Sequence, residues 1–320
     1  MPAEPVREWL LDDAQPSIRY RTLVELDGRP ESDPEVRDAQ RLIPKRGWAA
    51  DLLAERSPEG WWVSGESFYR PKYTATDWKL LALSELGLSR RVPAIRESCE
   101  YWMTATAAKN GGVGASSSGN PHHCVAGNMA RALIRFGYGE DPRVHRTLEW
   151  IAESADPKGG WSCFGSGRTL DSWEGLSALA ACPPSQRSAS MQRAVELGAE
   201  FFLDRELDRQ GARYAPWYRF HFPVHYYYDV LVGLEILLAL GYADDPRLKG
   251  AIALVRSKRR SDGRWNLDAV HPDVEGAIAR WFAGHPSQRP TPFALENVGA
   301  PSRMITFRAL KVLAQVDGVS

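Results

Sequence analysis

The chain has 320 residues, and its 40 lysines and arginines balance 40 aspartates and glutamates. A neutral balance without a long basic run excludes an extended nucleic-acid footprint. The basic stretch Arg256 to Arg260 falls at an expected helix end, where cations suit the dipole. No apolar run reaches the ~20 residues of a membrane-spanning helix. The start Met1-Pro2-Ala3-Glu4 lacks a signal-peptide pattern, and the four cysteines include no close pair. The expectation is a cytoplasmic protein without a transmembrane segment.

Taken in chain order, the elements are helical. After a short extension, residues 1–15, a helix begins near Ser17. Asp33-Pro34-Glu35-Val36 opens a second, with aspartate at the N-cap and proline in the first turn. Thr76 to Gly87 repeats leucine and alanine at three and four and ends on a glycine C-cap. A matching helix spans Cys124 to Gly137, and Asp141-Pro142-Arg143-Val144 starts a more charged partner. A weaker copy begins near Asp171. Tyr226 to Gly241 is nearly all apolar, as a helix buried on most faces must be. Asp245-Pro246-Arg247-Leu248 opens the next charged helix, and a last one begins near Ser302. No segment carries a strand or hairpin signal.

Five glycines punctuate this series: Gly60, Gly112, Gly160, Gly211 and Gly263, at steps of 52, 48, 51 and 52 residues. A period near fifty identifies copies of one supersecondary unit. Each copy pairs an apolar inner helix with a charged outer one. The predicted fold is therefore all-α: a single α/α6 toroid over 1–320, a closed barrel of about six inner and six outer helices. Links from inner to outer helices are short. Links from outer to inner helices are long, and all of them belong to the rim where inner helices begin. Long loops on a rigid scaffold carry function. The longest, the proline-rich rim loop 261–301, has the length of a lid.

Lys158-Gly159-Gly160-Trp161 and Asp262-Gly263-Arg264-Trp265, set between helix pairs of about fifty residues, resemble the α/α toroids of squalene and hopene cyclases and of protein prenyltransferase β-subunits. The likeness covers roughly residues 16 to 315. Pro16-Ser17-Ile18-Arg19-Tyr20-Arg21, Cys124-Val125-Ala126-Gly127-Asn128-Met129, Trp161-Ser162-Cys163-Phe164-Gly165 and Pro301-Ser302-Arg303-Met304-Ile305-Thr306 resemble, more narrowly, bacterial single-domain prenyltransferase/squalene-oxidase repeat proteins. The resemblance implies a terpenoid cyclase or prenyltransferase-like protein with an isoprenoid or other apolar substrate in its central cavity. The sequence departs from that pattern in two places. It has no Asp-x-Asp-Asp acid motif of class II cyclases, and no Asp-x-Cys zinc pair of protein prenyltransferases.

Three constellations fall on the expected rim. His122-His123-Cys124 opens one inner helix, and Cys163 precedes the next. Cys124, Cys163 and His123 have the donor types of a zinc site, and a helix N-terminus favours the Cys124 thiolate. Trp161-Ser162-Cys163-Phe164-Gly165 is also similar to a zinc-ligand segment of toroid-shaped lanthionine cyclases, with the chain order reversed. The alternative is two small buried cysteines and a packing histidine. The second constellation is aromatic, centred on Phe220-His221-Phe222-Pro223-Val224-His225-Tyr226-Tyr227-Tyr228-Asp229. Tyr73, Trp78, Trp173, Tyr226 and Tyr227 are candidate walls for an apolar ligand, and the same rings would equally cement neighbouring helices. The third is charged: Asp77, Asp171, Glu174, Asp229, Arg303 and Arg308. Of these, Asp77 and Arg303 join the candidate substrate-binding set. Asp229, near Tyr228 and His225, has the setting of an acid, and His225, His123 and Cys124 complete the candidate catalytic set. Helix-capping is the structural alternative for the carboxylates.

Three functions fit these residues. The first is an isoprenoid-binding, cyclase-like protein with acid–base groups. The second is a carbohydrate-active α/α-barrel lyase or hydrolase, with Arg168, Arg213, Arg219 and Arg303 in a groove. The third is a non-catalytic ligand- or protein-binding toroid. No cofactor is specified beyond the candidate zinc.

Overall fold

The computed structural model describes residues 4–115, 119–162, 168–209, 214–271, 280, 283–284 and 293–318. Among them the fold is all-α. Isolated bridges such as Ala115 with Pro121 are the only β pairing, and no strand forms. The helices are α1 (Glu4–Leu10), α2 (Pro16–Arg21), α3 (Pro34–Leu42), α4 (Trp48–Ala54), α5 (Thr76–Ser84), α6 (Pro93–Ala105) and α7 (His123–Leu133). They continue with α8 (Pro142–Glu153), α9 (Glu174–Ala181), α10 (Ala189–Leu203), α11 (Val230–Ala239), α12 (Lys249–Ser257) and α13 (Arg303–Val316).

The Asp-Pro starts are caps, as the sequence requires. Asp33, Asp141 and Asp245 each accept a hydrogen bond from the backbone N–H two residues on, at 2.8, 2.9 and 2.9 Å. In two copies the next residue extends the motif. Arg143 turns back onto Asp141 and reaches Glu100 of α6 at 3.0 Å. Arg247 does the same with Asp245 and reaches Glu200 of α10 at 2.6 Å. Each arginine thus ties the start of one charged helix to the charged helix before it.

The glycine turns share one closed geometry. In each, a backbone N–H bonds the carbonyl four residues on and its own carbonyl accepts from the third residue. The pairs begin at Ser57, Ala108, Asp156 and Arg260. The third residue is Gly60, Gly111, Gly159 or Gly263, with φ of 107°, 86°, 80° and 82°. Glycine is needed there because an L side chain is disfavoured at positive φ. The equivalent glycines in the middle repeats are therefore Gly111 and Gly159, one residue before the expected Gly112 and Gly160. Gly211 lies outside the described residues.

Two residues after that glycine stand Trp62, Val113, Trp161 and Trp265. The three indoles donate to carbonyls ten residues upstream: Leu52, Ile151 and Val255, at 2.7, 2.9 and 2.7 Å. Those carbonyls lie in the last turns of α4, α8 and α12, where a helix leaves acceptors unfilled. The tryptophan therefore satisfies the end of one helix and packs against the next. Trp161 is sealed by α9 and α10, where a Cβ at Gly175 or Gly198 would sit 2.8 or 3.2 Å from its ring.

The chain forms two compact units. The first comprises Met1–Ser98, Arg219–His225 and Ala253–Ser320; the second comprises Cys99–Tyr218 and Tyr226–Ile252. In the second, apolar α7 packs on α9 and α9 on α11, while charged α8 packs on α10. This is a two-layer arrangement, with the apolar layer made of helices buried nearly all round. Gly127 lets α7 come close to the start of α9, since a Cβ there would lie 2.7 Å from the Glu174 backbone. In the first unit α2 packs on α3 and α13, and α4 on α5. Every residue of α5 is buried.

Two helix starts differ from the sequence expectation. The helix expected from Tyr226 begins at Val230, because Asp229 is its N-cap and accepts from Val232 N at 2.8 Å. Asp171 lies in a separate short turn, Leu170–Ser172, ahead of α9. Ser302 caps α13 through Ile305 N at 2.9 Å, assisted by Glu296, whose carboxylate accepts from Arg303 N at 2.6 Å.

Candidate functional site

The aromatic and polar residues singled out by the sequence separate into two clusters, one within each unit.

In the first unit, Tyr73, Trp78 and His225 meet. The Tyr73 and His225 rings stack at 5.4 Å, and Trp78 stands edge-on to His225 at 5.3 Å. The Trp78 indole donates to Tyr69 O at 2.8 Å. Tyr73 holds a positive φ of 72°, which is uncommon for a non-glycine residue and brings its ring under Trp78 at 4.5 Å. His271, which the sequence did not mark, joins Tyr73 at 4.1 Å. Phe293 closes on His225 at 5.8 Å and on the Lys79 ammonium at 4.1 Å. Tyr73, Trp78, His225 and His271 are all buried. Burial, with help from the nearby His225, Lys72 and His221, pushes the His271 pKa well below the ordinary histidine value, so its ring is neutral at neutral pH. Asp77, also in α5, is buried, with its backbone N–H on Phe68 O at 2.8 Å. Arg303 faces the N-terminal helix: it donates to Trp9 O at 3.2 Å and to Asp12 at 2.6 Å, with its guanidinium over the Trp9 ring.

In the second unit, Asp171 is the centre. The Trp217 indole donates to Asp171 Oδ1 at 2.8 Å, and Thr169 Oγ1 donates to Oδ2 at 3.4 Å. Trp217 lies in the short turn Ala215–Tyr218 and touches Tyr214 at 5.8 Å and Tyr228 at 5.9 Å, edge-on in both cases. The Tyr227 hydroxyl donates to that of Tyr214 at 3.2 Å. Trp173 reaches Tyr226 O at 3.4 Å and carries the Arg131 guanidinium over its ring at 4.7 Å. Tyr228 is fully buried and donates to Leu207 O at 2.9 Å. Gly233 makes room for that hydroxyl, because a Cβ there would collide with it. Asp171 stays exposed as a residue, yet the protein around its carboxyl strips enough water to raise its pKa. The bonds from Trp217 and Thr169 oppose that rise.

The remaining sequence candidates take structural partners. His123 Nδ1 lies 3.1 Å from Ser162 O and Nε2 2.9 Å from Ser154 Oγ, and the ring stacks on Trp150 at 4.8 Å. Burial lowers its pKa, against the pull of the Ser162 carbonyl. With Nδ1 donating to that carbonyl, the neutral ring accepts from Ser154 at Nε2. Cys124, half-buried and reduced, lies in the first turn of α7. Cys163 lies outside the described residues, and no metal-binding group of three His, Cys, Asp or Glu residues occurs among the described ones. Asp229 belongs to the second unit and His225 to the first.

Sequence reasoning missed Trp217, the partner of Asp171, and Tyr214, which stands edge-on to Trp217. Both lie in a loop with no periodicity, and Trp217 is 46 positions from the carboxylate it binds. It missed His271 because that residue falls in the segment expected to be a lid.

The helices and clusters define an all-α helix-pair repeat protein with a carboxylic acid set in an aromatic face. No protein-family model and no curated protein matches the chain. Among solved structures it is similar to type II terpene cyclase MstE from Scytonema. A variant with the substrate geranylgeranyl dihydroxybenzoate is 14% identical, covers 98% of each chain and has a TM-score of 0.35. A variant with the product merosterolic acid A is 13% identical, covers 99% of each chain and has a TM-score of 0.36. A similarity of this size transfers neither activity nor site residues. No helix among the described residues is long and apolar enough to cross a membrane.

Proposed function

We propose that the protein binds an apolar, isoprenoid-like molecule against the aromatic face around Asp171, and that Asp171 is the acid of a cyclase-type proton transfer. The observation that carries this reading is a carboxyl on an exposed residue, partly desolvated, held by the Trp217 indole at 2.8 Å beside Tyr214 and Tyr227. Aromatic faces bind apolar chains and stabilise positive charge that develops along them. A carboxyl with a raised pKa keeps its proton to higher pH, as an acid catalyst requires. The Gly-x-Trp helix-pair resemblance supplies the isoprenoid class. Asp229 is the weaker choice of acid, since it is fully buried as the N-cap of α11.

In the proton transfer, the Asp171 O–H bond breaks and a C–H bond forms on the terminal alkene carbon. The neighbouring carbon becomes cationic, and loss of a proton or capture of water ends the reaction. The test is incubation of the full chain with geranylgeraniol in deuterium oxide. Deuterium in a cyclised or hydrated product, lost in Asp171→Asn, supports the reading. Binding seen by tryptophan fluorescence without any product reduces it to ligand binding. No binding and no co-purified lipid by native mass spectrometry refutes it.

A further inference from the structure

We propose that the turn around Gly263 and the adjoining face of α1 form a binding site for a phosphate group, held by Arg264 and Arg259. The site goes beyond the reading above: all its residues belong to the first unit, whereas Asp171 belongs to the second.

The basic stretch Arg256 to Arg260 closes α12, and the structure sorts its charges. Arg256 pairs with Asp317 at 2.6 Å, Lys258 with Asp268 at 2.8 Å and Arg260 with Asp262 at 3.2 Å. Arg303, at the start of α13, takes Asp12 at 2.6 Å. Glu296 is engaged by Ser302 Oγ and Arg303 N. Arg259 and Arg264 are the surplus. Arg259 Nε donates to Gly263 O at 3.4 Å and has no ion pair among the described residues. The Arg264 side chain makes neither a hydrogen bond nor an ion pair among the described residues. One turn thus carries two guanidinium groups without a carboxylate.

Packing brings both arginines to one seam. α1 docks on the turn through Val6 and Trp9. A Cβ at Gly263 would sit 3.0 Å from Val6 and 3.5 Å from Arg259 Nη2. One residue on, the Arg264 guanidinium lies over the Trp9 ring at 4.2 Å, and that of Arg303 lies over the same ring at 5.1 Å. Arg259 covers the Trp265 ring at 5.4 Å. Stacking uses the flat face of a guanidinium and leaves its N–H groups, which lie in the plane, free to donate at the edge. Arg264 Nε is buried without a hydrogen-bond partner, and an unmatched buried donor on a charged group is unfavourable. Like charges gathered on one seam also repel each other. A doubly charged anion removes that repulsion and accepts from the unmatched donors. Phosphate has the charge and the oxygens for two guanidinium forks, whereas a carboxylate matches one. Arg264 and Trp9 are half-buried and Arg259 is exposed, so the seam is reachable from solvent.

The test is titration of the full-length protein with inorganic phosphate at constant ionic strength, read by melting temperature and by phosphorus NMR line width. Saturable binding is expected, with acetate at least about tenfold weaker, because a hydrogen bond to a charged group contributes about 1.5–3 kcal/mol. Arg264→Gln, checked for folding by circular dichroism, raises the half-saturation concentration by about tenfold or more. Arg259→Gln raises it as well, and because Arg259 is exposed this second variant decides the matter if Arg264→Gln does not fold. Vesicles identify the source of the phosphate. Co-sedimentation with phosphatidylcholine vesicles that contain phosphatidic acid, lost in Arg264→Gln, supports the site and assigns it to a lipid head group. Saturable phosphate binding without co-sedimentation supports it and assigns it to a soluble phosphate. A melting temperature that rises without saturation, or equally with acetate or in both variants, is a general salt effect and overturns the inference. That failure leaves the proposed function standing, because the two sites share no residue.

Discussion

Gly159 gives the sharpest test of the turn that organises this fold. Replacement by alanine imposes two separable penalties. The first is conformational: Gly159 has φ of 80°, and an L side chain at positive φ costs about 1–2 kcal/mol. The second is steric. The new Cβ would fall against the Leu197 carbonyl oxygen of α10, 2.7 Å from its carbon and 3.3 Å from the Phe201 Cβ. Both the carbonyl and the helix that holds it must move, an overpacking cost of about 1–3 kcal/mol. The total for Gly159→Ala is about 2–5 kcal/mol. Gly241→Ala is the matched control. Its φ is 90°, and nothing lies within 4 Å of its would-be Cβ, so only the conformational penalty of about 1–2 kcal/mol applies. Urea unfolding of both variants, followed by fluorescence and circular dichroism, measures the difference at constant m-value. Equal losses for the two would refute the claim that Gly159 is required by its contact with α10 as well as by its φ.

Three further outcomes are expected. The His271 pKa is lowered on folding by burial and by His225, Lys72 and His221, so its contribution to stability is complete above the unfolded value near ~6.5 and is lost as pH falls below it. Thermal stability should drop by up to about 1.4 kcal/mol per pH unit there, and His271→Phe, which keeps the contact with Tyr73, should flatten that slope. Burial alone would raise the Glu25 pKa, but Arg21 at 2.6 Å and Lys311 at 2.5 Å hold it down to about 2. That stability is present above pH 4.5 and is lost as pH falls toward 2. Lys311→Met should cost about 1–2 kcal/mol at neutral pH, after allowance for partial exposure, and shift acid unfolding to higher pH. Because both His123 nitrogens are engaged, metal analysis of purified protein should find well under one zinc per chain; a full equivalent lost in Cys163→Ser would reverse that view.

Helix starts and stops were legible in the sequence because they depend on neighbouring residues. Asp33, Asp141 and Asp245 cap as aspartate before proline should, and Gly87, Gly137 and Gly241 take positive φ at helix ends. The repeat register was legible only to within one residue. Gly111-Gly112 and Gly159-Gly160 each offer two candidates, and the hydrogen bonds that choose between them are invisible in a string of letters. The candidate site was the least legible. Asp229 looked like an acid because of its aromatic neighbours, whereas its short distance to Val232 N is what caps α11. Asp171 owes its setting to Trp217, a contact between distant loop residues that no local pattern encodes.

The arginine clasp between successive charged helices bears on how such a chain grows. Each clasp joins an arginine in one copy to an acid in the copy before: Arg143 to Glu100, Arg247 to Glu200. The acids lie on α6 and α10 and the arginines at the starts of α8 and α12, so the shortest duplication that carries both halves is two successive helix pairs. The pair opened by Asp33-Pro34 inverts the signs, with Glu35 held by Arg19 and Arg29, both earlier in the chain. Copies of the two kinds are therefore not freely exchangeable: an Asp-Pro-Arg copy moved into that place would set its arginine against Arg19 and Arg29, so the order of repeats is written in charge as well as in shape.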